Sequence, residues 1–500
     1  MDISEYRARF ASFNSALELV RFHEHAGLRS QLSRDEVYDS HRDLFSLDAI
    51  AELKALREQV PASQETQRSG LSKLISAAAG RFAEQKAADL ARELERCERA
   101  ASIEWRGETL ALDDVSARLG REPEKDLRRD LYARWLDAIL ECHDLRCEQL
   151  AALNESAKAA GFESFLTLTQ ESDRSSSDAQ AAINSLLKQT ESSYNAALGR
   201  VLSGEIQGLA RDELEAADLP YLSEIHWLDN NYPASESLRI SAETMNGLGI
   251  RADQQRQIQI DSEPRSARKR GSACFPIAPP HDVRVALLPL EGTAAFSEVM
   301  ESYALAQFFA WCSPDLSSRN PEFIYPTDQA TSRSYAYLFR YLSMEARWNL
   351  EFVPRIDERK AAAITRAAAF HLALQARRLS AASLCASEDL SDETAGKWER
   401  LFEEAIAMRV PASLVMPGLL KAEQPLTKLR ALAFSAVLRE HLRVRFGRRW
   451  WSSRKAGDEL VDLWSTSSRH SVEELSSLLG FGELSFDLLA EAINSGLTGD

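Results

Sequence analysis

The sequence predicts a mainly α-helical protein with one small β-sheet set inside its second half. Three observations lead there. Over 500 residues, Gly (21) and Pro (16) are scarce, too few punctuating residues for a strand-rich chain. Apolar residues recur at three- and four-residue spacing along most of the length, the period of a helix with one buried stripe. The period changes between 250 and 290. Hydrophobic residues at 44% and charged residues at 27% are ordinary for a globular chain and exclude global disorder. The length suggests roughly 2–4 domains.

Residues 1–100 are almost uniformly helix-forming, with Pro61 and the polar residues around it as the clearest break. Residues 103–112 (IEWRGETLAL) form a short strand-like piece with its turn at Gly107. A helical stretch opens near Glu124 and runs to Gly161, which stands where a left-handed C-cap is required. Residues 172–178 (SDRSSSD) are the most linker-like stretch, and equally a Ser- or Asp-capped helix start. RQIQID (256–261), ACFPI (273–277) and VRVALLPL (283–290) are strand-like runs separated by the turn-rich SEPRS and APPHD, so an antiparallel or mixed sheet of about three strands is expected. Helical spacing returns at 294: Phe296, Val299, Met300, Tyr303 and Ala304 share one stripe, as do Tyr335, Leu338, Phe339 and Leu342, and then Leu429, Leu432, Ala433, Ala436 and Val437.

The 60 basic and 76 acidic residues leave a net charge of −16. Such a field disfavours wholesale binding to nucleic acid or to an anionic membrane surface, and neither partner is expected. The six cysteines (Cys97, Cys142, Cys147, Cys274, Cys312, Cys385) are scattered with no C-x-x-C pair. They read as buried reduced thiols, with a reducing compartment as the default. The first twenty residues hold no uninterrupted apolar run, and no stretch reaches the roughly 18–20 apolar residues that cross a bilayer. A cytoplasmic chain is the simplest expectation.

Chemistry-bearing motifs are sparse. The nine histidines include no two spaced by four, so no helix can present the H-E-x-x-H pair that holds zinc from one face. His23-Glu24-His25 reads as a solvated helix start, because residues two apart on a helix point in different directions. Cys142, His143 and Cys147 read as core packing. No G-x-S-x-G elbow, dinucleotide fingerprint or Walker lysine occurs. Arg265, Arg268, Lys269 and Arg270 make a basic loop between two strands. The stretch from Arg443 to Lys455, with Trp450 and Trp451, suits a helix end packed on the core with arginines near its negative pole.

More specific information comes from four segments: DLYARWLDAILECHDLRCEQLAALNESAKAAGFESF, DLPYLSEIHWLDNNYP, MNGLGI followed by IQIDSEPRSARKRGSACFPIAPPHDVRVALLPLEG, and LRALAFSAVLREHLRVRFGRRWW. On these the chain, from about residue 100 to its C-terminus, resembles the oligoendopeptidase F and thimet-type zinc oligopeptidases, whose fold is that of the gluzincin peptidases. The resemblance implies a two-lobed, mostly helical metallopeptidase-like fold with the small sheet lining a deep cleft. Residues 1–215 would be an N-terminal helical lobe. Residues 216–500 would be a peptidase-like lobe, with its sheet at about 256–290 and its zinc helix at about 294–311.

In that family the zinc helix follows the apolar strand and carries H-E-x-x-H, with a glutamate ligand on a later helix. Continued from Gly292, the resemblance places the first histidine at Glu301, the general-base glutamate at Ser302, the second histidine at Leu305 and the later glutamate at Arg333. The family's carbonyl-facing tyrosines fall at Gln424 and Lys428. Zinc needs three protein ligands with lone pairs and a polarised water. Leu305 offers no ligand, Arg333 is a cation, and Ser302 cannot replace a carboxylate base. No metal, no cofactor and no catalytic residue is therefore expected.

Two ligands of one ion have adjacent head groups, so Glu301 and Arg333 are expected to form a salt bridge where the ion would stand; the alternative is that both reach solvent. The function expected is that of an inactive oligopeptidase-like protein binding a peptide or protein partner, with Cys274, Tyr303, Tyr335, Gln424 and Lys428 as possible cleft residues. The alternative is an enzyme with zinc-independent chemistry in the same cleft, built on Glu301, Tyr303 or Cys274; the third reading, an active oligoendopeptidase, is disfavoured by the absence of any H-x-x-x-H.

Overall fold

The computed structural model describes all residues except 170–175, 205, 207–208, 252–253, 289–291, 387–391, 420–423 and 500. Most of the linker-like stretch 172–178 and the end of the run 283–290 lie outside the described residues. The protein is mostly helical with a small sheet. The elements that matter below are, in chain order, helix α1 (Ile3–Ala26), the hairpin β1 (Ser102–Trp105) and β2 (Glu108–Ala111), helices α2 (Lys125–Glu141) and α3 (His143–Ala159), strands β3 (Ile258–Asp261), β4 (Ala273–Ala278) and β5 (Asp282–Ala286), and helices α4 (Thr293–Ala310) and α5 (Ala330–Arg340).

The chain divides into two compact units whose segments interleave along the sequence. One comprises Met1–Phe82, Asp229–Ala361 and Arg430–Leu484, the other Ala83–Leu228, Ala362–Leu429 and Ser485–Asp500.

The first unit is built around the sheet. Its strand order is β3-β5-β4, with β3 parallel and β4 antiparallel to the central β5. Alternation along the strands divides the apolar residues between two faces. Val283, Val285 and Leu287 pack against Val299, Ala306 and Ala310 of α4, while Phe275, Ile277 and Ala286 pack against Phe22 and Ala26 of α1. Helix α1 buries Tyr6, Phe10, Phe13, Leu17 and Val20 at three- and four-residue intervals. Asp2 caps its start, accepting from the Ser4 N–H at 2.8 Å. Gly27 ends it at φ +69°, and a Cβ there would lie 2.7 Å from the backbone nitrogen of Arg268, so both conformation and space demand glycine.

The basic loop of residues 265–270 is thereby held against the end of α1. Arg268 donates to the Asp261 carboxylate at 2.5 Å and to the Leu287 carbonyl at 3.1 Å. His23 and His25 stand in the last turn of α1, not at a helix start as the sequence reading had them. The His25 ring contacts the Gly271 carbonyl at 3.1 Å. Trp450 and Trp451 are buried just beyond a helix that ends before Gly447 at φ +85°, the packed arrangement expected of that stretch.

In the second unit the hairpin turns at Arg106 and Gly107, both with positive φ, over a core of Ile103, Trp105, Leu119, Leu131 and Ile139. The single helix expected from 124 to 161 is two helices, α2 and α3, broken at Cys142. Cys142 bonds Cys97 in a disulfide, with Cα atoms 6.1 Å apart. This overturns the reading of all six cysteines as reduced thiols, and the inference to a reducing compartment loses its premise. The pair is 45 residues apart in sequence, a spacing that carries no local signal. Gly161 adopts φ +83°, and the Phe162 N–H reaches the Ala157 carbonyl at 3.0 Å, the Schellman closure expected there. Arg128 and Asp218, both without exposed surface, form a buried ion pair at 2.7 Å. Among the described residues no helix is long and apolar enough to cross a membrane.

Candidate functional site

Helix α4 begins at a demanding junction. Gly292 has φ +108°, and a Cβ there would meet the Asp229 carboxylate at 2.8 Å. That carboxylate accepts from the backbone N–H of Thr293 at 2.9 Å and from its hydroxyl at 3.2 Å, so an acid distant in sequence satisfies the helix start and complements its dipole. From Glu298 onward nearly every side chain of α4 is buried. The exceptions are Glu298, Glu301, Leu305 and Phe309, which succeed one another at three- and four-residue steps and therefore form one stripe. Helix α5 packs against α4 and is buried in the same way, with Arg333 and Arg340 as its two partly exposed residues.

These two stripes meet at Glu301. Arg333 Nη1 donates to Glu301 Oε1 at 2.7 Å, and Arg340 Nη1 donates to Glu301 Oε2 at 2.5 Å. The three side chains retain 13%, 20% and 17% exposure for Glu301, Arg333 and Arg340, enough for contact with solvent but too little for full hydration. The salt bridge expected between Glu301 and Arg333 is present. Arg340 was not singled out in the sequence, although it stands seven residues after Arg333, two turns along the same helical face. That spacing was the available signal.

Glu298 adds a second carboxyl one turn before Glu301. Burial pushes it above the usual carboxylate range, and the nearby Glu301 charge adds to the rise. Arg340 and a hydrogen bond from the Ser272 N–H oppose it, the latter at 3.3 Å. Burial works against the charge of Arg340, yet the proximity of Glu301 prevails and holds its guanidinium above its ordinary value. Tyr337, between the two arginines on α5, is buried and its phenol is pushed up by desolvation.

Ser302 and Tyr303 are buried at 4% and 5% exposure. Leu305 lies on the Glu301 stripe, apolar and partly exposed. Tyr335 has no exposed surface and packs against Phe308 and Trp464, so it belongs to the core. Cys274 lies on β4 against the α4-facing cluster, and burial pushes its thiol up, away from the nucleophilic thiolate. Gln424 and Lys428 belong to the second unit, at the start of the helix Pro425–Phe446, with Gln424 fully buried. Among the described residues no three His, Cys, Asp or Glu side chains are grouped so as to hold a metal ion.

The residues at the positions where the sequence resemblance implies a zinc site do not fit a divalent cation: the one carboxylate, Glu301, has both oxygens engaged by guanidinium groups, Leu305 offers no donor, and Arg333 is a cation.

No protein-family model matches the chain, and no curated protein matches it. Among solved structures it is similar to the M32 carboxypeptidase from Deinococcus radiodurans R1, with a TM-score of 0.59 and 11% identity over 99% of each chain. At that identity the likeness concerns the fold: across its whole length the chain has a helical, metallopeptidase-like fold.

Proposed function

We propose that this chain is a catalytically inactive, oligoendopeptidase F-like protein that binds a peptide or protein partner and acts as a scaffold or regulator. The observation that carries the proposal is the Glu301 carboxylate shared by Arg333 and Arg340, at positions where the resembling peptidases hold a metal. Metal-assisted hydrolysis needs an open coordination position and a base beside the polarised water. Here their place is taken by one carboxylate held between two guanidinium groups, a cluster whose excess charge is positive. The metallopeptidase-like fold supports a peptide as the ligand class, and the partly exposed stripe Glu298, Glu301, Leu305 supplies both charged and apolar contacts for one.

Purified protein is expected to carry no stoichiometric zinc, to leave a quenched-fluorescence peptide library intact, and to bind members of that library in fluorescence polarisation. Chelator-sensitive cleavage would refute the proposal.

The second reading, an enzyme with zinc-independent chemistry, draws on Glu298, whose carboxyl is raised by burial while remaining partly exposed, the condition of a general acid. It requires chelator-insensitive cleavage that Glu298→Gln abolishes.

A further inference from the structure

We infer that Arg340 is a second, independent barrier to a divalent cation, so that reinstating the four aligned peptidase residues will not by itself recreate a metal site. The inference rests on the reading of Glu301 and Arg333 as former ligand positions, and extends it to a residue outside the aligned set. Arg333 engages one Glu301 oxygen, and Arg340 engages the other at 2.5 Å, through a charge-assisted bond of the stronger kind. Among the described residues its buried Nε has no hydrogen-bond partner, while its Nη1 is held by the Glu301 carboxylate.

When the carboxylate is moved by the changes Glu301→His and Arg333→Glu, the guanidinium of Arg340, which already reaches the side chain at 301, is expected to turn to the new carboxylate at 333, two helical turns before it on the same face. It would then pair with the carboxylate introduced by Arg333→Glu, removing the lone pairs meant for the metal. It would also place a fixed positive charge a few ångströms from a divalent ion. Repulsion at that range, even in a partly hydrated setting, amounts to about a hundredfold or more in affinity.

The test compares four proteins: the wild type, the quadruple change Glu301→His, Ser302→Glu, Leu305→His, Arg333→Glu, the same with Arg340→Gln added, and Arg340→Gln alone. Zinc and cobalt affinities are measured by competition with a chromophoric chelator. The cobalt d–d spectrum reports the coordination geometry, and circular dichroism confirms folding. The expected result is tight tetrahedral cobalt binding by the quintuple variant, with the quadruple variant at least about a hundredfold weaker and neither the wild type nor Arg340→Gln binding.

Equal affinities of the quadruple and quintuple variants would overturn the role of Arg340 and leave the reading of the wild type standing. A folded quintuple variant that takes up no cobalt would overturn the inference as well. Stoichiometric zinc in the wild type would instead remove the reading beneath it. Should the multiple variants fail to fold, a thermal-melting cycle on the wild type decides. Glu301→Gln and Arg340→Gln should each lower Tm, and the double change should fall well short of the sum. Additive shifts would mean that Arg340 does not act through Glu301.

Discussion

Arg333 and Arg340 stand seven residues apart on one helix and divide the two oxygens of a single carboxylate between them. An ion trio of this kind, only partly hydrated, fixes geometry more than it adds stability, while removal of one member leaves charge uncompensated. Glu301→Gln is therefore expected to destabilise the protein by about 1–3 kcal/mol, read as a lower urea midpoint at unchanged slope. An unchanged midpoint would show that the two guanidinium groups are satisfied without Glu301.

The junction before α4 yields a paired prediction. At φ +108° and with Asp229 at 2.8 Å from a hypothetical Cβ, Gly292→Ala should cost about 2 kcal/mol or more. Asp229→Ala removes the cap on Thr293 and should cost about 1 kcal/mol, with faster amide exchange confined to the first turn of the helix. Combined, the two should cost less than their sum, because the second change removes the group that the new methyl meets.

Asp261 gives a pH dependence with a definite sign. Hydrogen bonds from Arg265 and then Arg268 lower its carboxyl to about 2, against an opposing effect of burial. A depressed folded value contributes stability that is present above the unfolded value near 3.9 and is lost as the pH falls from about 4 towards 2. The carboxyl faces solvent in part, so the contribution is about 1 kcal/mol after screening. Urea unfolding at pH 5 and pH 3 should show a smaller loss for Asp261→Asn than for the wild type.

The Cys97–Cys142 bond leaves Cys147, Cys274, Cys312 and Cys385 as free thiols. Thiol titration of the denatured, unreduced chain should then count four groups rather than six. Replacing both half-cystines with serine should cost about 2–4 kcal/mol, since the bond closes a loop of moderate length.

Legibility in the sequence followed the range of the interactions. The three strands between 256 and 286 announced themselves because alternation in the first, and short apolar runs bounded by turn residues in the other two, are local properties of the chain, as are the hairpin at Gly107 and the cap at Gly161. The parallel pairing of Ile258–Asp261 with its neighbour was not readable, since register and direction are settled by packing on two helices at once. The break at Cys142 interrupts a pattern that remains helical on both sides, and nothing in the spacing marks it or its partner Cys97. Of the candidate site, Glu301 and Arg333 were reachable through resemblance. Arg340 offers only its seven-residue spacing from Arg333 as a signal and Glu298 corresponds to no motif; both gain their meaning when the two helices lie side by side.

From Glu298 to Ala310 the helix is enclosed on every side except one narrow row, which uncouples two kinds of constraint on the sequence. Substitution at Val299, Met300, Ala304 or Ala306 disturbs the interior and should be purged in any saturation survey scored on expression. Glu298, Leu305 and Phe309 should accept a far wider choice under the same score. The chemistry presented along this row can thus change while the interior stays untouched, and a tolerance map from Glu298 to Ala310 should show that division as a plain helical periodicity.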